Sequence, residues 1–154
     1  MKDTETTKET TATPSQVWAV LSDGYRYDQW VQGTKEIRDV DSGWPSEGAG
    51  IHYTVGVGPI TYKNETVSRN CLTERSLELE VHATPFGTVR VAIKVEPAGT
   101  GSKVTLDEHP LRGPVRVLHS PLTRFGFLAR TSTMIDDLIR LAEAEPSPST
   151  TSDS

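Results

Sequence analysis

One cysteine in 154 residues, Cys71, leaves the chain without an intramolecular disulfide and without any multi-cysteine zinc site. As a nucleophile a lone thiol would need a neighbouring base, and a small buried hydrophobe is the plainer reading. Long apolar runs are missing too: no stretch of about 18 apolar residues is available to span a bilayer. The opening MKDTETTKETTATP is polar and threonine-rich where a secretory signal needs an apolar segment, so a cytoplasmic location without integral membrane association is expected. Positive charge is scarce, with 16 Lys and Arg against 21 Asp and Glu, and a formal net charge of −5 repels a phosphate backbone. The nearest approach to a basic patch, Arg112, Arg116, His119 and Arg124, reads as a solvated connection, and no nucleic-acid partner is expected.

Catalytic signatures are also missing. No G-x-S-x-G elbow and no P-loop lysine appears, which leaves serine hydrolysis and nucleotide hydrolysis without their motifs. His52, His82, His109 and His119 have no H-x-x-x-H spacing, and the first two fall on outward strand faces, so neither a metal nor a cofactor is expected. Gly43 to Tyr62, GWPSEGAGIHYTVGVGPITY, is glycine-rich enough to suggest a phosphate-cradling loop. Neither G-x-G-x-x-G nor G-x-x-x-x-G-K-[ST] can be drawn through it, however, and no helix follows to aim amide dipoles at a phosphate. These glycines read instead as bends or bulges of a curling sheet.

What is present is periodicity. Thr13, Pro14 and Gln16 spell a capping box for a short helix whose apolar stripe is Val17, Trp18, Val20 and Leu21, with Gly24 placed to end it. Tyr27 and Trp30, three apart, imply a second short helix. From about Thr34 to His109 the period is two, as in an antiparallel meander. Ile51, Tyr53, Val55 and Val57 alternate, as do Leu77, Leu79 and Val81, then Val89, Val91, Ile93 and Val95, then Val104 and Leu106. Hairpins are expected at Pro97–Ser102 and near Pro85–Gly87. Ser120 and Pro121 open a long helix reaching about Ala144, with Leu122, Phe125, Leu128, Ala129, Ile135, Leu138, Ile139 and Ala142 recurring at three and four. Met134 and Leu141 widen this stripe to roughly half the circumference, more than a flat sheet would cover. EPSPSTTSDS, residues 145–154, lacks apolar residues and is expected to form a disordered tail.

TATPSQVWAVLSDGYRYDQW, EPAGTGSKVTLDE and RTSTMIDDLIRLAE, in this order, resemble the START-like helix-grip (SRPBCC) superfamily, and within it the polyketide cyclase/dehydrase and lipid-transport branch. The resemblance implies an α+β helix-grip fold over residues 1–144: a curved antiparallel sheet of about six or seven strands around the long C-terminal helix, with two short helices after the first strand. It also implies a single ligand-binding domain, monomeric or homodimeric, with an elongated cavity for a hydrophobic or aromatic small molecule. One departure is KDTETTKETT, which offers threonine and charge where the first strand usually alternates apolar residues. The superfamily hosts carriers, cyclases, receptors and binding modules on one scaffold, so the resemblance stops short of a reaction.

Alternation sorts the candidate site residues. In ITYKNETVSR, Lys63 and Glu65 belong outside, which turns Tyr62, Asn64, Thr66 and Ser68 inward. A polar inner face suggests a ligand cavity; an edge strand or a slipped register is the alternative. Arg69 then points outward unless a bulge near Ser68 reverses it. Glu108 follows Val104 and Leu106 on one face, which carries a carboxylate inward, or else it sits past the strand's end, in water or paired with Arg112. Tyr53 needs a hydroxyl partner, either a ligand oxygen or a neighbouring strand. The resemblance implies that the second short helix, with Tyr27 and Trp30, caps one end of the cavity; Leu106 and Phe125 are added to its expected lining, and Trp18 and Trp44 are assigned to packing. The candidate ligand-binding set is therefore Tyr27, Trp30, Tyr53, Tyr62, Asn64, Thr66, Leu106 and Phe125. Glu108, Tyr53 and Tyr62 are the candidate proton-handling groups of a cofactor-independent aromatase/cyclase or dehydratase, the alternative to a simple binder of a lipid or polyketide-like molecule. A third alternative is an interaction module whose cavity is filled by its own side chains.

Overall fold

The capping box forms as the sequence spells it: the Thr13 amide donates to Gln16 Oε1 at 2.8 Å, and the Gln16 amide donates to Thr13 Oγ1 at 3.2 Å. Helix α1, Pro14–Leu21, starts there and buries Val17, Trp18, Val20 and Leu21. It ends on Ser22 rather than at Gly24, which instead opens a 3₁₀ turn, Gly24–Arg26, capped by the Asp23 carboxylate. The need for glycine at that position is steric, since a Cβ there would lie 2.6 Å from Val40 Cγ1. Helix α2, Tyr27–Trp30, follows at once.

The computed structural model describes residues 5–31, 34–57, 59–83, 87–112 and 121–146, with side chains left undescribed at 57, 83, 110–112 and 121–131. The strands are β1 (Glu5–Thr10), β2 (Thr34–Val40), β3 (Gly50–Val57), β4 (Ile60–Leu72), β5 (Ser76–Ala83), β6 (Gly87–Ala98) and β7 (Gly101–Arg112), and helix α3 spans Pro121–Glu143. They form one antiparallel seven-stranded sheet in the order β1-β7-β6-β5-β4-β3-β2, so β2 to β7 are a meander and β1 closes the far edge against β7. The turn near Pro85 lies outside the described residues; the other expected hairpin is present, turning at Gly99 and Thr100.

Period-two alternation places Ile51, Leu77, Leu79, Val91, Ile93, Val95, Val104 and Leu106 in the core, where Met134, Ile135, Leu138 and Ala142 of α3 join them. Each such side chain withdrawn from water contributes about 1.5–3 kcal/mol, which is what holds the helix to the sheet. None of the described helices is long and apolar enough to cross a membrane.

The polar start of the chain is a strand after all, and its chemistry explains its composition. Thr6, Lys8 and Thr10 stand in register with Leu106, Val104 and Ser102, on the face turned to α3. There Lys8 Nζ donates to Ser132 Oγ at 3.1 Å and Asp136 Oδ1 at 2.5 Å, and Thr10 Oγ1 donates to Glu143 Oε2 at 2.6 Å. An edge strand that meets the flank of a helix through its polar residues has no use for apolar alternation. The far end of α3 is held from the other side: Gln16 Nε2 donates to the Glu145 carbonyl at 2.6 Å and Arg26 pairs with the Glu145 carboxylate. Glu145 is thus fastened to the fold, two residues past the helix, where the tail was expected to begin; residues 147–154 lie outside the described residues.

Candidate functional site

The strand β4 carries the polar part of the concave face. Asn64, Thr66 and Ser68 are buried, Tyr62 is half-buried on the same side, Lys63 is exposed and Glu65 is half-buried on the outside, as the alternation predicts. A bulge between Ser68 and Asn70 shifts the register against β5. Arg69 remains exposed and donates to Glu80 Oε1 at 2.7 Å. Beyond the bulge Cys71 packs against the core, and burial pushes its thiol pKa up. The folded protein therefore holds less thiolate than the unfolded chain at any given pH. Cys71 should be alkylated more slowly in the native protein than in urea at pH 8, and native labelling as fast as unfolded would contradict this. The sign for stability follows: the contribution of the partly buried thiol is complete below its unfolded pKa and is lost as pH rises through the folded one.

Two tyrosines converge on Thr66. Tyr53 of β3 pairs with Asn64 and lies diagonal to Thr66, placing its hydroxyl 2.9 Å from Thr66 Oγ1. The Tyr27 hydroxyl of α2 lies 2.7 Å from the same atom. The two rings are 5.1 Å apart, and Tyr27 stands edge-on to Trp30 at 5.5 Å. The buried Thr66 hydroxyl thus ties the short helix to the sheet. Thr66→Val, which keeps the shape and removes the oxygen, should cost about 2 kcal/mol in urea unfolding by leaving two buried phenols without this partner; an unchanged midpoint would sink that assignment. Of the two partners expected for the Tyr53 hydroxyl, a ligand oxygen or a neighbouring strand, the structure shows the strand partner, Thr66. Tyr27 and Trp30 are core residues here, both buried.

The Ser68 hydroxyl is used differently, donating to the Pro45 carbonyl at 2.8 Å, while Trp44 Nε1 donates to the Leu21 carbonyl at 3.0 Å. Both pin the glycine-rich loop to the sheet and to α1, so Trp44 serves packing, as does the buried Trp18. At Gly56 the Lys35 side chain crosses the strand 2.7 Å from where a Cβ would be. The described part of this stretch is a loop that feeds β3, then β3 itself and the start of β4.

On the other side of the concave face, Glu108 is 1 % exposed and opposite Val91. β7 runs on to Arg112, so the carboxylate lies within the strand, which excludes the alternative that it sits past the strand's end. The side chain of Arg112 lies outside the described residues, as does that of Phe125 on α3. Leu106, two residues before Glu108, is fully buried. Glu108 shares its cross-strand row with Val91, Leu79 and Ser68, three strand spacings from β4, or about 14 Å at ~4.8 Å per strand. The structure brings Tyr27, Tyr53, Asn64 and Thr66 together at one end of the face and leaves Glu108 apart from them.

His52 and His82 lie half-buried on the convex side, His52 Nε2 at 3.2 Å from Asp41 Oδ1 and His82 Nε2 at 3.9 Å from Glu80 Oε2; His109 Nε2 lies 2.9 Å from Asp107 Oδ2, and His119 is outside the described residues. Among the described residues no three His, Cys, Asp or Glu side chains are grouped to hold a metal ion. One feature the sequence reading missed is Thr34, whose buried hydroxyl has no partner among the described residues. Two register shifts in β2, between Thr34 and Glu36 and between Ile37 and Asp39, erase the alternation that would have flagged it.

A curved antiparallel sheet gripping one long helix, with a half-polar concave face, defines a START-like helix-grip protein. The family model for polyketide cyclase / dehydrase and lipid transport matches residues 1–143, and the chain belongs to that family. No curated protein matches the sequence. Among solved structures, Ara h 8.0201 superposes with a TM-score of 0.69 at 12% identity, covering 92% of this chain and 97% of its own. Protein NE0264 from Nitrosomonas europaea gives 0.69 at 18% identity, with 90% and 92% covered. DynU16, a protein of the dynemicin biosynthetic locus, gives 0.64 at 15% identity, with 91% of this chain and 46% of that one covered. At these identities the likeness is one of fold.

Proposed function

We propose that the protein binds a hydrophobic or aromatic small molecule, lipid or polyketide-like, between the concave sheet face and α3. The observation that carries this reading is the buried polar cluster of Asn64, Thr66, Tyr53 and Tyr27 at one end of the concave face, in which Asn64 Oδ1 has no partner among the described residues. Tyr27, Trp30, Tyr53, Tyr62, Asn64, Thr66, Leu106 and Phe125 form the lining in this reading, and no cofactor takes part. The test is dye displacement and native mass spectrometry across aromatic and acyl probes. Saturable one-to-one binding supports the reading, and no binding by any probe rejects it in favour of an interaction module with a filled interior.

A second reading, catalysis, is favoured by one observation, the buried Glu108 carboxylate on the same face. Cyclisation or dehydration of a poly-ketone needs positioned acids and bases and no cofactor. With Glu108 three strand spacings from β4, about 14 Å measured along the sheet, a substrate handled by both Glu108 and Tyr53 or Tyr62 has to be several rings long. A product distribution from a reactive polyketide that is the same with and without protein would argue against catalysis.

A further inference from the structure

We infer that the Asn64 end of the site selects a neutral ligand through a hydrogen-bond donor on it, a hydroxyl or N–H, and disfavours one ending in a carboxylate. This rests on the binding reading above and adds to it the chemistry of the ligand's polar end. Asn64 is 6 % exposed, and its Oδ1 is fully buried with no hydrogen-bond partner among the described residues. Its neighbours do not serve it: the Tyr53 and Tyr27 hydroxyls both lie on Thr66, and Arg38 reaches only the backbone carbonyls of Tyr53 and Asn64. Amide oxygens buried in this way are uncommon in folded proteins, because the water they give up is normally replaced by a donor. Thr34 Oγ1, on β2 beside the same end of the sheet, is buried and unpartnered in the same way. Asn64 Oδ1, which can only accept, is thus left awaiting a donor, beside a threonine hydroxyl that can accept as well as donate.

Charge among the described residues favours a neutral ligand over an anionic one. Of the described side chains on the concave face, Lys8 is the cation, and it is taken by Asp136 at the β1 edge, across the whole width of the sheet from β2. The other ionisable group described on that face is Glu108, itself a carboxyl and no counter-charge for a fatty acid or an aromatic acid. A carboxylate facing Asn64 Oδ1 would meet an amide oxygen with no compensating cation among the described residues of this face, a costly burial. A phenol or an alcohol would meet an acceptor, and its apolar body would lie along Val81, Leu79 and Val91.

The experiment uses naphthalene, 2-naphthol, 2-methoxynaphthalene and 2-naphthoate on the wild-type chain and on Asn64→Leu. In the wild type 2-naphthol should bind about tenfold more tightly than the methoxy compound, which cannot donate, and the naphthoate should be weakest. In Asn64→Leu the ratio of 2-naphthol to naphthalene affinity should fall to that of the methoxy compound, whatever the absolute affinity for naphthalene. The ligand-free variant should melt no lower than wild type, because an unpaired buried oxygen has been removed. Equal binding of 2-naphthol and 2-methoxynaphthalene to the wild type would overturn the inference and leave the binding reading standing. A large fall in melting temperature for Asn64→Leu would assign Asn64 a structural role and overturn it as well. Binding of none of the four would overturn the inference as well, and the acyl probes above would then decide the binding reading by themselves.

Discussion

Gly101→Ala should lower the unfolding free energy by about 3 kcal/mol or more, at the upper end of what an overpacked site costs. A Cβ at this position would lie 1.9 Å from the Thr10 carbonyl oxygen and 2.9 Å from Thr10 C and Thr11 Cα. All three atoms are backbone, so no rotamer change relieves the clash, and β1 must separate from β7. The displacement falls where several contacts meet. Thr10 pairs with Ser102, Thr10 Oγ1 reaches Glu143 and accepts from the Ala12 amide at 3.0 Å, and Ser102 Oγ donates to the Ala12 carbonyl at 2.7 Å. Losing these frees one edge of α3. Gly99, in the same hairpin, is the control. Its φ of +59° disfavours alanine by about 1–2 kcal/mol, but nothing lies within 4 Å of its Cβ position. In a chain of this size each kcal/mol is about 2–4 °C of melting temperature, so the two variants should be well separated. If Gly101→Ala is no less stable than Gly99→Ala, the proposed clash is wrong.

The contrast between these two glycines shows what the sequence reveals and what it hides. EPAGTGSK is legible as a hairpin because turn chemistry is local, and so is the Thr13–Gln16 capping box. The inward facing of Asn64 and Thr66 was legible because Lys63 and Glu65 mark the opposite face of one strand. Long-range packing leaves no such local mark. Nothing adjacent to Gly24 announces that Val40 will press on it, and nothing in KDTETTKETT announces that its threonines and Lys8 will meet Ser132, Asp136 and Glu143 more than a hundred residues away. The Glu108 question turned on where β7 ends, and strand ends are set by pairing with β6 rather than by the residues themselves. The junction of Tyr27 and Tyr53 on Thr66 needed three elements to meet before it existed.

Leu138→Ala is expected to cost about 3 kcal/mol, within the 2–5 kcal/mol typical of buried leucine truncations, and comparison with Leu106→Ala makes the result bear on function. Both side chains are 0 % exposed. Leu138 sits on α3 between Ile135 and Ala142, in the half of the helix anchored through Glu143 and Glu145, where the core closes against α1 and the sheet. Truncation there opens a void that rigid neighbours cannot fill, so transfer and cavity terms add. Leu106 lies on the concave face two residues from Glu108. If it borders the ligand space, its truncation enlarges an existing cavity and forfeits mainly the transfer term, about 1.5–2 kcal/mol. A bound ligand should then recover part of that loss, since binding to the folded state alone stabilises it by mass action. The melting temperature of Leu106→Ala should rise with a saturating aromatic probe at least as much as that of wild type, with a changed preference for ligand size. Leu138→Ala should show the wild-type preference. Equal costs for the two truncations, with no change in ligand preference for either, would mean that Leu106 belongs to a filled core and has no part in the ligand wall.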